Sequence, residues 1–404
     1  MPEAAHGWGT CAQALVQQHD VLLLDLDGVV YVGPNAVAGA PEALARARTS
    51  GVRLAFVTNN AARPPDVVAR HLSELGVEAQ PADVVTSAQA AATMLAADLP
   101  EGSRVLAIGG EGLRQALRAR GLVPVMSADD EPVAVAQGFA PETSWAMLLE
   151  ACVGVSAGLP WVATNTDLTI PTPRGTAPGN GALVQVVRST TGATPRVAGK
   201  PFRPLMDESC VRTGAQHALV VGDRLDTDIA GAHAAGLPSL LVLTGVSGAH
   251  ELLGASPDLR PTYLAADLSG LDQPHTAPRR EGRWWVGSYY RAGWEPADGA
   301  EPSSAARLLL EPLTDGSPAV GPSRDAMPSR GAGEVAADAG SDSNPAGTDS
   351  AAVPEDALVD AIKVACAAVW ERADTTGDEA QREGLLTAAA EALGPWTRGL
   401  ATAR

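Results

Sequence analysis

Between Asp20 and about Leu271, short apolar runs alternate with segments of helical spacing, the pattern of a parallel sheet covered by helices on both faces. The runs are Val21–Leu24, Val52–Val57, Val105–Ile108, Val133–Val135, Trp161–Ala163, Ala218–Val221 and Leu240–Leu243. Between them, Pro41–Arg48, Pro64–Leu75, Ser87–Leu95, Gly112–Arg120, Gly181–Ser189 and Thr227–Ala235 carry helix-compatible spacing, several opening on Pro, Ser or Thr and closing near Gly. The turn Gly109-Gly110-Glu111-Gly112 lacks the third Gly of a dinucleotide loop and reads as a tight strand-to-helix turn.

After Leu271 the character changes. Trp284 to Tyr290 concentrates scarce aromatics and predicts a buried strand. Residues 315–354 are dominated by Gly, Pro, Ser, Ala and Asp, too little apolar surface to offset ordering entropy, and predict a disordered linker. Apolar residues then recur at helical spacing over Glu355–Trp370 and Asp378–Leu393, predicting two closing helices.

The 404 residues carry 29 Lys and Arg against 47 Asp and Glu, a net charge of -18, so no basic surface exists to displace counterions from nucleic acid. No apolar run approaches the roughly 18–20 residues that span a bilayer, and the first twenty residues show neither a basic nor an apolar leader region. Cys11, Cys152, Cys210 and Cys366 are far apart, without Cys-x-x-Cys spacing. The expectation is a cytoplasmic protein with neither nucleic-acid nor membrane partners. Among the basic residues only Lys200 and Lys363 are lysine, which marks each for a task that a compact ammonium performs and a guanidinium does not.

Four apolar runs end in polar residues of unusual kind: Asp25-Leu26-Asp27-Gly28, Thr58-Asn59-Asn60, Gly199-Lys200-Pro201 and Gly222-Asp223, with Asp226 and Asp228 following the last. In an open parallel sheet, ligands bind at the carboxyl ends of the strands, so these endings converge. Each alone is ordinary: an Asp-x-Asp turn, a helix N-cap, a plain loop. Together they collect carboxylates that repel one another unless a hard cation sits among them, and oxygen ligands of this kind describe Mg²⁺. Lys200 and Thr58 supply the charge and the donor that a phosphoryl group needs.

This set resembles the four motifs of the haloacid dehalogenase superfamily of phosphatases, in its nitrophenylphosphatase-like branch. The match rests on Asp25-Leu26-Asp27-Gly28-Val29-Val30-Tyr31, Thr58-Asn59-Asn60, Gly199-Lys200-Pro201 and Gly222-Asp223-Arg224-Leu225-Asp226-Thr227-Asp228, and covers roughly residues 15–271. The resemblance implies an α/β fold, a Rossmann-like doubly wound parallel sheet as core with an inserted α/β cap domain and a small C-terminal extension. Its boundaries are expected at 1–85 and 182–272 for the core, 86–181 for the cap and 273–404 for the extension, Thr164–Asp167 and Pro178–Leu183 resembling the return from cap to core.

Asp25 is implied as the nucleophile that forms an aspartyl-phosphate, and Asp27 as the acid and base. Thr58, Asn59, Asn60 and Lys200 are implied to hold the phosphoryl group, with Asp25, Asp27, Asp223 and Asp228 around Mg²⁺. Arg174, in a polar cap loop, is a further candidate for leaning over the ester. A haloalkanoate dehalogenase needs neither Asp27 nor Asp223, so their presence argues for phosphate.

Members of the branch with extra sequence after the phosphatase act on glycerol 3-phosphate and carry an acetyltransferase-related tail. The implied substrate is therefore glycerol 3-phosphate, with phosphoglycolate, pyridoxal phosphate and sugar phosphates as alternatives, and cap-mediated homodimers occur in the branch. The tail here shows no Arg/Gln-x-x-Gly-x-Gly/Ala cradle for coenzyme A. A receiver-like phosphoacceptor domain is the alternative of another class. Its acidic pair is adjacent, its acceptor sits on a later strand and it leaves no room for a cap.

Overall fold

The computed structural model describes residues 7–172, 174–295, 307–313, 354–376 and 379–401. Of the expected linker over 315–354, all but Pro354 lies outside the described residues. The chain divides into two units, Met1–Ala277 and Pro278–Arg404.

In the first unit, six parallel strands form the core sheet, in the spatial order Tyr263–Ala265, Ser239–Val242, Ala218–Gly222, Val21–Leu24, Arg53–Thr58 and Val84–Thr86. Strand residues alternate between faces, and here both faces are covered. Leu22, Leu24, Leu54 and Phe56 enter one apolar cluster, while Val21, Leu23, Ala55 and Val57 enter another. That double burial is why the strands read as continuous apolar runs. The first strand is central. The chain adds its second and third strands on one side and returns to add the rest on the other, so the order reverses beside Val21–Leu24, and a crevice opens at the carboxyl ends there.

A second parallel sheet is inserted between the two passes through the core, in the order Arg196–Val197, Trp161–Ala163, Ala134–Gln137, Arg104–Ile108 and Val123–Val125. An antiparallel hairpin, Thr169–Thr172 with Gly175–Pro178, follows the Trp161–Ala163 strand. The return to the core comes later than the sequence places it. Helix Asn180–Thr191 packs on helix Trp145–Ser156, and Arg196–Val197 pairs with Trp161–Ala163, so the chain rejoins the core near Ala198 rather than after residue 181. Helix Ser87–Asp98 starts in a capping box in which the Thr86 hydroxyl accepts from the Gln89 N–H, and it packs on both Glu111–Ala119 and the core helix Arg203–Thr213. The Gly109–Gly112 turn is what its spacing predicts, and its glycines answer to a neighbour: a Cβ on Gly112 would lie 2.6 Å from the Ala61 carbonyl oxygen, in the loop that follows Thr58.

The second unit holds a four-stranded antiparallel sheet, Arg279–Glu281, Trp284–Val286, Tyr290–Trp294 and Leu308–Pro312. The single strand expected over Trp284–Tyr290 is thus a hairpin. Its turn is held by Asp360, whose carboxylate accepts the backbone N–H groups of Ser288, Tyr289 and Tyr290 at 2.8–2.9 Å. Asp360 belongs to helix Glu355–Thr375, which packs on the sheet and on helix Glu379–Ala401, so both closing helices find their apolar partner within this unit. No helix among the described residues is long and apolar enough to cross a membrane.

Candidate active site

The crevice beside the first core strand gathers the residues that the apolar runs end in. Lys200 Nζ is 2.5 Å from Asp25 Oδ1 and 2.7 Å from Asp228 Oδ1, and donates to the Val57 carbonyl at 3.2 Å. The lysine is 3% exposed. Asp223 is fully buried beside them. Its Oδ2 accepts the Val246 N–H at 2.7 Å, while its Oδ1 has no hydrogen-bond partner among the described residues. Asp25, Asp223 and Asp228 each present an oxygen within 4.8 Å of the others.

Two glycines make room for this crowding. Gly28 has φ +90, where only Gly is unstrained, and a Cβ there would lie 2.4 Å from Asp223 Oδ2; a Cβ on Gly245 would lie 1.8 Å from the same oxygen.

The electrostatics follow from one cation among several anions. Burial works against the Lys200 ammonium, but Asp228 and Asp25 outweigh it and hold the pKa above the ordinary lysine value. One ammonium cannot balance three carboxylates. Burial pushes Asp25 up to about 8 against the pull of Lys200, with Asp228 and Asp223 adding to the rise, and Asp223 is pushed up to about 6 by burial and by Asp228. Asp27 stands at the open mouth of the crevice, yet the protein wall strips enough water from it to raise its carboxyl, against Arg63, Lys200 and His71.

Of the residues expected from sequence, Asp25, Lys200, Asp223 and Asp228 meet directly. Thr58 is buried, and its Oγ1 accepts the Asn60 N–H at 3.1 Å. Asn60 turns its own Oδ1 to the N–H groups of Ala62 and Arg63 and so shapes the loop. Asn59 aims its amide at the Lys200 peptide: Lys200 N donates to Oδ1 at 2.8 Å and Nδ2 donates to Lys200 O at 3.0 Å. Arg174 is exposed in the turn of the cap hairpin, and none of the ion pairs or hydrogen bonds just described involves it. Asp226 pairs with Arg224 in both its oxygens, at 2.7–3.0 Å. Lys363 is buried in the second unit, where burial pulls its ammonium down to about 8 against Asp360.

Sequence reasoning passed over two contributors. The loop around Gly245 and Val246 supplies the N–H that holds Asp223, and only its glycine hinted at close approach. Asp167 of the cap receives Asn59 Nδ2 at 3.1–3.2 Å; the sequence places it in a segment resembling the return from cap to core and gives it no role of its own.

Known proteins resemble this chain in sequence and fold. A family model described as haloacid dehalogenase-like hydrolase matches residues 22–123, and a related one matches 197–271, the two stretches that bear the four motifs. The D-glycerol 3-phosphate phosphatase of Mycobacterium tuberculosis is 52% identical over 261 residues, 65% of this chain and 73% of that protein. The chain belongs to the haloacid dehalogenase-like hydrolases. An acid sugar phosphatase of Staphylococcus aureus is 35% identical to this hydrolase over 63% of the chain and 97% of its own length. Among solved structures, the M. tuberculosis glycerol phosphate phosphatase in complex with magnesium aligns over 93% of the hydrolase and 98% of its own chain, with TM-score 0.70 and 38% identity. The 4-nitrophenylphosphatase of Thermotoga maritima aligns over 64% and 98%, with TM-score 0.59 and 28% identity.

Proposed function

We propose that this hydrolase cleaves phosphomonoesters through an aspartyl-phosphate on Asp25, with glycerol 3-phosphate as the preferred substrate. The observation that carries the reaction is the Lys200 ammonium held between Asp25 and Asp228, beside an Asp223 oxygen that has no hydrogen-bond partner among the described residues. A buried carboxylate oxygen without a donor is costly, and a hard cation removes the cost, so the donor set fits Mg²⁺. Asp25, Asp223 and the Asp27 carbonyl would hold the ion, with Asp228 behind them; when bound, it neutralises charge on the phosphoryl oxygens.

The chain's own groups divide the remaining work. An Asp25 carboxylate oxygen attacks phosphorus, forming one P–O bond as the bond to the ester oxygen breaks, and Asp27 gives its proton to the departing alkoxide. Its raised pKa favours carrying that proton. A water molecule next attacks phosphorus, Asp27 takes its proton, the bond to Asp25 breaks and phosphate leaves. Lys200, the Thr58 hydroxyl and the Asn59 and Asn60 region hold the phosphoryl oxygens, and Arg174 of the cap hairpin is the candidate for meeting the ester.

The substrate rests on the M. tuberculosis relative, a D-glycerol 3-phosphate phosphatase. Glycerol 3-phosphate is expected to give the highest kcat/KM in a comparison with phosphoglycolate, pyridoxal phosphate, a sugar phosphate and a nucleoside monophosphate. Any of the others exceeding it by about tenfold, roughly 1.4 kcal/mol of transition-state binding, overturns that choice while leaving the reaction intact.

We also propose that a second copy of the chain covers the cap helix Trp145–Ser156. Trp145, Leu149 and Val153 are 76%, 43% and 49% exposed at four-residue spacing, an apolar stripe turned away from the cap's own core. Sedimentation should show a dimer for the native chain and a monomer for Trp145→Asp; an unchanged mass for the variant removes this face from consideration. A cytoplasmic site of action goes with the same reading, in a reducing compartment that keeps the four cysteines as thiols.

A further inference from the structure

An asparagine side chain has two N–H donors and one carbonyl acceptor, and Asn59 commits all of them. Oδ1 accepts the Lys200 N–H at 2.8 Å and one amide proton goes to the Lys200 carbonyl at 3.0 Å, so the amide grips both ends of the same residue's backbone. The other proton goes to the carboxylate of Asp167, which receives Nδ2 at 3.2 Å on Oδ1 and 3.1 Å on Oδ2. The Asn59 carbonyl is fixed in turn by Asn165 Nδ2 at 2.7 Å and Ser87 Oγ at 2.6 Å. Asp167 lies in the cap and Asn59 in the core.

The cap loop is shaped to hold that carboxylate in place. Asp167 N donates to Asn165 Oδ1 at 3.2 Å, its carbonyl accepts the Gly181 N–H at 2.8 Å, and Asn180 Nδ2 ties the Asn165 carbonyl at 2.7 Å. Gly179 is bare because a Cβ there would lie 2.3 Å from the Asp167 carbonyl oxygen. Burial raises the Asp167 carboxyl above the ordinary aspartate value, against the Asn59 hydrogen bond and the charge of Lys200.

We infer that Asp167 is a positioning residue for phosphoryl transfer: through the Asn59 amide it fixes the Lys200 peptide, and with it the ammonium bonded to Asp25. The inference rests on the reading of Lys200 and Asp25 given above. The hydrogen bonds of the Asp167 carboxylate run to Asn59, while its charge also acts on the Lys200 ammonium through space; Asp167→Asn, which keeps the bond and drops the charge, separates the two. Because Lys200 serves the phosphoryl group, common to every substrate, loss of the contact should slow the chemistry without regard to the alcohol.

The test uses the full chain with Mg²⁺, glycerol 3-phosphate and nitrophenyl phosphate. Asp167→Ala should lower kcat by about 10- to 50-fold on both substrates with KM within about threefold, the signature of an interaction needed in the transition state. Asp167→Asn, whose carbonyl still accepts from Asn59, should stay within about threefold of the native kcat. Adding Asp167→Ala to Asn59→Ala should cost less than about twofold more, since the two act as one unit. Asp167→Ser, too short to reach Asn59, repeats the measurement if the alanine variant shows no cooperative thermal transition.

An unchanged kcat in a folded Asp167→Ala or Asp167→Ser protein overturns the inference. So does a change confined to KM or to one substrate, which would make Asp167 a substrate contact, and so does failure of Asp167→Asn to restore turnover. A native chain inactive on every phosphomonoester would sink the phosphatase reading itself, an outcome separate from these.

Discussion

Asp25→Asn should abolish turnover and, in metal-free buffer at neutral to alkaline pH, raise thermal stability. An amide is not a nucleophile toward phosphorus, and removing an essential nucleophile costs about 10⁴-fold or more. The stability effect has its own sign. The Asp25 carboxyl is pushed from 3.8 to about 8 in the folded chain, so between those values the folded state binds more protons than the unfolded one. Stability therefore falls as pH rises through that window, and an Asn, with no proton to lose, escapes the fall. The gain should be near zero at pH 4 and level off at its greatest above about pH 8, while Asp228 continues to pair Lys200. Added Mg²⁺ should reverse the ranking, because it favours the ionised cluster that the variant lacks. Phosphate release and thermal unfolding across pH, each with chelator and with Mg²⁺, check both halves. Phosphate release within about tenfold of native would remove Asp25 from the chemistry.

Lys200→Met should be nearly as damaging to turnover and, unlike the first variant, should weaken the fold. Taking the ammonium away leaves Asp25 and Asp228 facing each other in a slot where the lysine is 3% exposed. Breaking a buried pair from one side costs about 3–5 kcal/mol. Loss of the cation paired with Asp25 should also lower kcat by about 10³-fold, in the range measured for removing a single preorganised donor to transition-state charge. Lys200→Arg should not rescue activity. A planar guanidinium cannot take three converging partners, the two carboxylates and the Val57 carbonyl, in the space of a point charge. Native-like kcat in the arginine variant would show that charge alone suffices and that the geometry described here is incidental.

The core was legible because its strands are buried on both faces. Val21–Leu24 and Ala218–Gly222 read as strands from their apolar runs alone, and their polar endings mark the site. Helix Trp145–Ser156 escaped because it is apolar on nearly every face and so lacks the polar-apolar alternation by which a helix is read, and Arg203–Thr213 because its polar residues obscure the buried Leu205 and Met206. The two-residue strand Arg196–Val197 carries no signal for which sheet it joins, hence the misplaced return from the cap. Asp228 was legible as a member of an acidic cluster and, through the resemblance, as a group around Mg²⁺, while its pairing with Lys200 is a product of the fold. Asp167 and Asn59 are 108 residues apart, and no local pattern announces a contact over that distance.

The central position of the first core strand bears on how the protein is made. Val21 pairs with Ala218 on one side and Arg53 on the other. At a synthesis rate of about 5–20 residues per second, one edge of that strand waits roughly ten to forty seconds for its partner to leave the ribosome. Throughout that interval Val21-Leu22-Leu23-Leu24 offers an unpaired, wholly apolar edge, the kind of template on which strands from other chains add. The cap, whose strands lie consecutively between Arg104 and Val197, is complete before the core can close. The nascent chain thus carries a finished inserted domain on an unfinished one, and its yield in a cell depends on what shields that edge.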